Sequence, residues 1–235
     1  MNKHSLSIII PIYNEEQAIG YVLQDSLANL PRIVPNFEII LVDDGSTDRT
    51  YEIVKLIAKK NKQIRLIHQK HSGFNKALLT GIKSTTKEYV AHMQGNGQDL
   101  VRDMVNCFKI MSQYDLVLGI RGKRIDYDFY RFLLSYGGMF FYRLLFDIKY
   151  EDVHWIYVWK TVELKKLKLD PTGGMFILVE TLIKFRAKGL RIGEATSPYR
   201  PRYAGVSKNT DIKVVLRTLN SMVKIWWKMI TNKLE

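Results

Sequence analysis

Between residues 6 and 120 the chain alternates without interruption between short apolar runs and longer segments of helical spacing. The runs are LSIIIPI (6–12), FEIILVDD (37–44), IRLIHQ (64–69), YVAHM (89–93) and DLVLGI (115–120). Between them, 15–30, 48–60, 75–84 and 101–112 repeat apolar residues at helical intervals. Runs this short and this apolar fit strands covered on both faces, as in a parallel sheet held between helices. Their short connections are those of βαβ units. The expectation is an α/β domain with a mostly parallel sheet, undivided by any repeat, low-complexity tract or linker.

Composition narrows what such a domain can serve. At 235 residues the chain is long enough for one large core. Thirty-six Lys+Arg against 23 Asp+Glu give a net charge of +13, which favours polyanions: nucleic acid, anionic lipid or phosphorylated substrates. No helix-turn-helix, zinc-finger or RNA-recognition signature accompanies the charge, so nucleic acid is not an expected partner. No apolar stretch reaches about 18 residues, so no spanning helix is predicted. The opening MNKHSLSIIIPIY reads as a first strand, not a signal peptide. The single cysteine, Cys107, excludes an internal disulfide and reads as a buried thiol in a reducing compartment.

In open α/β sheets ligands sit beyond the carboxyl ends of the strands. Those ends read Pro11-Ile12-Tyr13-Asn14-Glu15, Asp43-Asp44-Gly45-Ser46, His71-Ser72-Gly73 and Gln94 to Asp99. Adjacent aspartates before Gly-Ser-Thr suit a ribose and a base, because carboxylates accept from hydroxyls and ring N–H groups. A plain helix cap is the competing reading for either aspartate. Neither G-x-G-x-x-G nor a Walker A sequence occurs, which removes the usual dinucleotide and P-loop sites. His68, His71, His92 and His154 lack metal spacing, and His92 reads as a core histidine.

Ile10-Pro11-Ile12-Tyr13-Asn14-Glu15-Glu16 and Val42-Asp43-Asp44-Gly45-Ser46-Thr47-Asp48-Arg49-Thr50 resemble the first two signatures of family 2 glycosyltransferases. Arg202-Tyr203-Ala204-Gly205-Val206-Ser207-Lys208 is similar to the R-x-x-G-x-S-K acceptor-loop motif of the dolichyl- and polyprenyl-phosphate mannosyltransferase-like branch. Gly119-Ile120-Arg121, Arg131 with Ser135, and Asp152 fall in that branch's order, so the resemblance runs over 5–210. It implies a GT-A (nucleotide-diphospho-sugar transferase) fold over 1–210. It also implies an inverting enzyme moving a sugar from a UDP- or GDP-linked donor to polyprenyl (dolichyl or undecaprenyl) phosphate, within cell-envelope glycan synthesis. Pro11, Tyr13, Glu15, Asp43, Asp44, Gln94 and Asn96 would hold the nucleotide sugar. Arg121, Arg131, Ser135, Asp152, Arg202 and Lys208 would form the catalytic, phosphate-handling set.

One segment departs from the family. Where the branch usually reads M-D-A-D-L-Q-D, this chain reads Met93-Gln94-Gly95-Asn96-Gly97-Gln98-Asp99. Mg2+ and Mn2+ prefer carboxylate oxygens, so binding through Asn96, Gln98 and Asp99 is expected to be weakened or dispensable. A phosphate dianion needs no strong general base, which leaves in-line positioning and neutralisation of the departing diphosphate as the catalytic work. Arginine forks match phosphate oxygens. A basic, solvated surface is the competing reading for Arg121 and Arg131.

Two stretches bear on the lipid. Residues 129–146 are rich in aromatics and interrupted by Arg131 and Arg143, which suits either an interfacial helix or a core helix. From Asp211 on, Lys213, Arg217, Asn220, Lys224, Lys228 and Thr231 form one stripe. Val215, Leu219, Met222, Val223, Trp226, Met229 and Ile230 form a wider apolar face edged by Trp227. The segment 211–235 is expected to lie on an anionic membrane, with packing on the domain or a partner as the competing reading. Many relatives in the branch carry two spanning helices after the catalytic domain, and this sequence stops before any. The expectation is peripheral attachment at the cytoplasmic face, with a separate membrane protein as a further candidate partner. Two other functions stay open: transfer to a growing cell-surface glycan, and a catalytically silent binding or scaffold subunit.

Overall fold

The computed structural model describes residues 4–122, 136–201, 203, 212–231 and 233–234, and the backbone course of 129–135. Strands β1 (Ser5–Ile12), β2 (Asn36–Asp43), β3 (Ile64–His68), β4 (Tyr89–His92) and β5 (Leu116–Arg121) form where the apolar runs predict them. Helices α1 (Ile19–Ile33), α2 (Thr50–Lys60), α3 (Phe74–Ser84) and α4 (Val105–Ile110) occupy the intervals. Beyond them lie α5 (Phe129–Phe146), β6 (Tyr157–Lys160), α6 (Thr161–Lys165), α7 (Ile177–Ala187), β7 (Ile192–Ser197) and α8 (Ile212–Ile230).

The seven-stranded sheet has the order β3-β2-β1-β4-β6-β5-β7. All pairings are parallel except those of β6, which runs antiparallel to both β4 and β5. The α/β, mostly parallel expectation therefore holds.

Strand period sends alternate side chains to opposite faces. Leu6, Ile8, Ile10 and Ile12 join a core under α1, α2 and α4, whereas Ile9, Val90 and Leu118 join one under α3, α5, α7 and α8. Burial on both faces explains why the central runs are so strongly apolar, whereas the edge strand β3 admits Arg65 and His68.

The segment expected as one helix over 101–112 is a 3-10 turn, the short α4 and a second 3-10 turn. Its apolar residues Val101, Met104, Cys107, Phe108 and Met111 are nonetheless buried together, as helical spacing requires. The helix expected from 15 begins at Ile19, because Asn14 takes a left-handed conformation (φ 55°) and turns the chain first.

Candidate active site

Every parallel strand ends at one edge of the sheet, and the antiparallel β6 begins there, so residues just before β6 reach the same edge. Most of the predicted site residues converge on it.

At the end of β1, Asn14 accepts from Thr47 N (2.8 Å), while its own N–H donates to Ser46 Oγ (3.0 Å). These bonds hold the Tyr13-Asn14-Glu15 turn against the Asp-Asp-Gly-Ser-Thr loop. Asp43 and Asp44 do not cap α2; ahead of that helix, Asp48 accepts from the N–H of its first residue, Thr50 (2.9 Å). Both carboxylates are buried and occupied. Asp43 meets His68 Nδ1 at 2.7 Å. Asp44 accepts from Ser72 N (3.0 Å), Gly73 N (2.8 Å) and Gln69 Nε2 (2.7 Å), and meets His71 Nδ1 at 2.9 Å. Their immediate work is to fold the 69–73 loop into a wall of the cleft. Gly45 (φ +71°) is required there, since a Cβ would fall 2.8 Å from His71 N. His71 stacks on Tyr13 with ring centroids 4.1 Å apart, which gives the cleft a flat aromatic surface. Pro11 is partly exposed within β1, and Glu15 packs toward Gly95 of the neighbouring tip. The sequence set His71 at a ligand-facing strand end but gave no reason to connect His68 with the site. Their link is to carboxylates on the adjoining strand.

The tip after β4 is closed on itself. Asn96 Nδ2 donates to Gln94 Oε1 (2.9 Å) and Gln98 Oε1 (3.2 Å), and Asn96 Oδ1 accepts from Gln98 N (3.0 Å). Both Asp99 oxygens turn back to accept from Gln94 N at 3.1 Å. Burial pushes the Asp99 carboxyl well above the usual carboxylate range, opposed by the Gln94 N–H. Among the described residues no three His, Cys, Asp or Glu side chains cluster as metal ligands.

On the other side of β6, Arg121 is not solvated surface. Nε and Nη2 grip Asp152 Oδ2 and Oδ1 at 2.5 and 2.9 Å, and the guanidinium lies 5.1 Å from the Trp155 ring centroid. Arg131 and Ser135 fall on α5, but their side chains lie outside the described residues, as do Arg202 and Lys208 altogether. The lead-in to that last motif is described: Arg200, which sequence reasoning missed, pairs with buried Asp103 through two bonds (2.7 and 2.9 Å).

Two helices on one side of the sheet meet through Phe176. Tyr142 and Phe146 of α5 contact its ring, and α8 packs on the turn that carries it. α8 docks by a narrow edge, with Ser221, Met222 and Ile225 buried and Trp226 and Met229 packed beside them. The wide apolar face expected from sequence is thus divided. Its outer part, Leu219, Val223 and Ile230 with Trp227 at its edge, is exposed, and Ile212 and Leu216, which the expected face did not include, continue it as one helical row. On α5, Tyr136, Phe140 and Leu144 form a second exposed row. Among the described residues no helix is long and apolar enough to cross a membrane.

A family model described as glycosyl transferase family 2 matches residues 7–157. The chain belongs to glycosyl transferase family 2. It is 27% identical over 231 residues to the dodecaprenyl-phosphate galacturonate synthase of Rhizobium johnstonii, covering 95% of this chain and 68% of that one. The dolichol-phosphate mannosyltransferase of Pyrococcus furiosus is 28% identical over 86% of this chain and 58% of its own length. Other curated relatives are covered far less, for instance 38% of an undecaprenyl-phosphate 4-deoxy-4-formamido-L-arabinose transferase from Photorhabdus laumondii. Among solved structures, a mannosyltransferase from Pyrobaculum calidifontis, in complex with GDP-Man and Mn2+, superposes with TM-score 0.66 at 20% identity over 98% of this chain and 65% of that one. Glucosyl-3-phosphoglycerate synthase from Mycobacterium tuberculosis with Mn2+ and UDP-glucose gives 0.69 at 19% identity, covering 94% of this chain and 79% of that one. The GT-A fold expected from the motifs is therefore the fold of this family 2 chain.

Proposed function

We propose that this family 2 domain transfers a sugar from a nucleoside diphosphate sugar to a polyprenyl phosphate at a membrane surface. The observation that carries the reading is the pair of exposed apolar rows on α5 and α8, two helices that pack on the same face of the sheet. A lipid acceptor demands a site at the bilayer boundary, and apolar rows of this length, with Lys213, Arg217, Lys224 and Lys228 also exposed on α8, suit an anionic interface. The names of the polyprenyl- and dolichol-phosphate relatives point the same way. Peripheral attachment at the cytoplasmic face, where nucleotide sugars are made, completes the proposal.

Tyr13, His71 and the 69–73 wall would receive the nucleoside, with Asp43 and Asp44 holding that wall in shape and Pro11 and Glu15 at its margin. The acceptor phosphate, largely a dianion at neutral pH, would attack the anomeric carbon in line and invert it. The new bond joins phosphate oxygen to C1, the C1–oxygen bond to the nucleoside diphosphate breaks, and no proton need move. Arg121, Arg131, Arg202 and Lys208 would carry the phosphate charges, with Ser135 a hydrogen-bonding partner and Asp152 orienting Arg121.

Structural relatives bind Mn2+ with their nucleotide. The donor set here does not fit such an ion. The amide oxygens of Gln94, Asn96 and Gln98 face one another's N–H groups, and Asp99 faces backward. A hard cation would have to break this network for neutral ligands. We assign no step to a metal. The test is transfer from labelled UDP- and GDP-sugars to polyprenyl phosphate and, separately, to oligosaccharide, in EDTA. Label extracted with the lipid supports the proposal; label on the oligosaccharide alone would replace it with glycan extension.

A further inference from the structure

We propose that the Gln94–Gln98 tip is a hydrogen-bonded seat for Tyr199 and Tyr203, which makes Gln98 and Tyr199 positioning residues for the acceptor side of the site. What they position rests on the lipid-phosphate reading above; the seat itself does not.

The amides of the tip satisfy one another, and the groups left over reach one segment. Asn96 O accepts from Tyr203 N (3.1 Å), and Gln98 Nε2 donates to the Tyr199 hydroxyl (3.3 Å). Gly97 makes room for this contact: its φ is +78°, and a Cβ there would stand 3.0 Å from Tyr203 Cβ. The Tyr203 ring stacks on Tyr21 (5.0 Å), and Tyr199 leans on buried Trp155 (5.5 Å). Between them Arg200 is fixed by its two bonds to Asp103, which lies just past the tip. The segment is thus fastened at Tyr199, Arg200 and Tyr203, and Arg202 is bracketed in sequence by two of these anchors.

Amide chemistry is what closes the seat. Asn96 uses both halves of its carboxamide, donating through Nδ2 and accepting through Oδ1, which a carboxylate cannot do. Aspartates at 94 and 96 would repel each other and turn outward toward a cation. In this chain the substitution of amides converts an ion-binding tip into a fixed support beneath the acceptor segment.

Limited trypsinolysis tests the seat directly. Trypsin cuts Arg–Pro bonds poorly, so Arg200-Pro201 resists and Arg202-Tyr203 is the local target. Cleavage after Arg202 in the full chain, followed by mass spectrometry, should run roughly five-fold faster in Gln98→Ala and in Tyr199→Phe, the shift for one lost hydrogen bond. Tyr199→Phe keeps the ring on Trp155, and an unchanged melting temperature excludes general loosening. Both variants should raise KM for polyprenyl phosphate while leaving the Kd for the nucleotide sugar alone. Unchanged cleavage in both variants overturns the seat. Faster cleavage with unchanged acceptor KM overturns the positioning role. Faster cleavage in a protein that never uses polyprenyl phosphate keeps the seat and removes the acceptor reading.

Discussion

Arg121 at the end of β5 and Asp152 ahead of β6 meet fork to fork, with side chains only 6% and 3% exposed. Removing one partner of such a pair strands the other charge in the interior. Asp152→Ala should therefore cost about 3–5 kcal/mol in denaturant unfolding, seen as a lowered midpoint at constant m-value. The double variant Arg121→Met/Asp152→Leu should recover much of that stability yet remain inactive. Recovered activity would show that the pair is only a structural strut.

Closure of the amide tip predicts how the nucleotide binds. Wild-type protein should gain the same melting-temperature shift from its nucleotide in EDTA as in Mn2+. Gln94→Asp/Asn96→Asp, which restores the family's carboxylates, should gain measurable Mn2+ affinity by electron paramagnetic resonance. A wild-type shift that appears only with Mn2+ would contradict the hydrogen-bonded account.

His92 on β4 is 2% exposed, touches Phe74 edge-on, and has both ring nitrogens buried without a hydrogen-bond partner. Burial lowers its pKa from 6.5 to about 4. The unfolded chain then binds the proton that the folded chain refuses, so the contribution is full above pH 6.5 and is lost as pH falls toward 4. The loss is on the order of 3 kcal/mol. His92→Leu should flatten the stability profile over this window; an unchanged slope would assign the loss to other groups.

Cys107 is wholly buried in α4, and burial pushes its thiol up to about 12. As the chain's one cysteine, it should ignore thiol reagents at pH 8 in the native protein and react stoichiometrically in urea. Fast native labelling would mean that α4 opens on its own.

The first five strands were legible because burial on both faces makes most of them strongly apolar, as in LSIIIPI and FEIILVDD, and even the edge strand β3 keeps Ile64, Leu66 and Ile67 around its polar Arg65 and His68. β6 and β7 stood out less: YVWK is four residues long and reverses direction, and IGEATS mixes polar side chains along the sheet edge. The resemblance to the family also made it legible that Gln94 and Asn96 stand where the branch carries carboxylates. That the amides bind one another is local side-chain geometry within five residues, but that Tyr203 reaches Asn96 depends on a contact between chain segments more than a hundred residues apart. For α8 the helix and its amphipathic character were readable. The split of its apolar side into an inner edge and an outer row depended on where the turn at Gly174 would meet Thr218.

The reversal of β6 carries one more consequence. An ordinary βαβ crossover must carry the chain back to the far edge of the sheet, and its length is constrained by that journey. β5 and β6 are instead neighbouring antiparallel strands, so the excursion from Gly122 to Ile156 leaves and re-enters at the same edge. Topologically it is the loop of one oversized hairpin. Such a stretch can lengthen, shorten or be exchanged as a cassette while every strand keeps its register, letting one sheet be refitted to different acceptors.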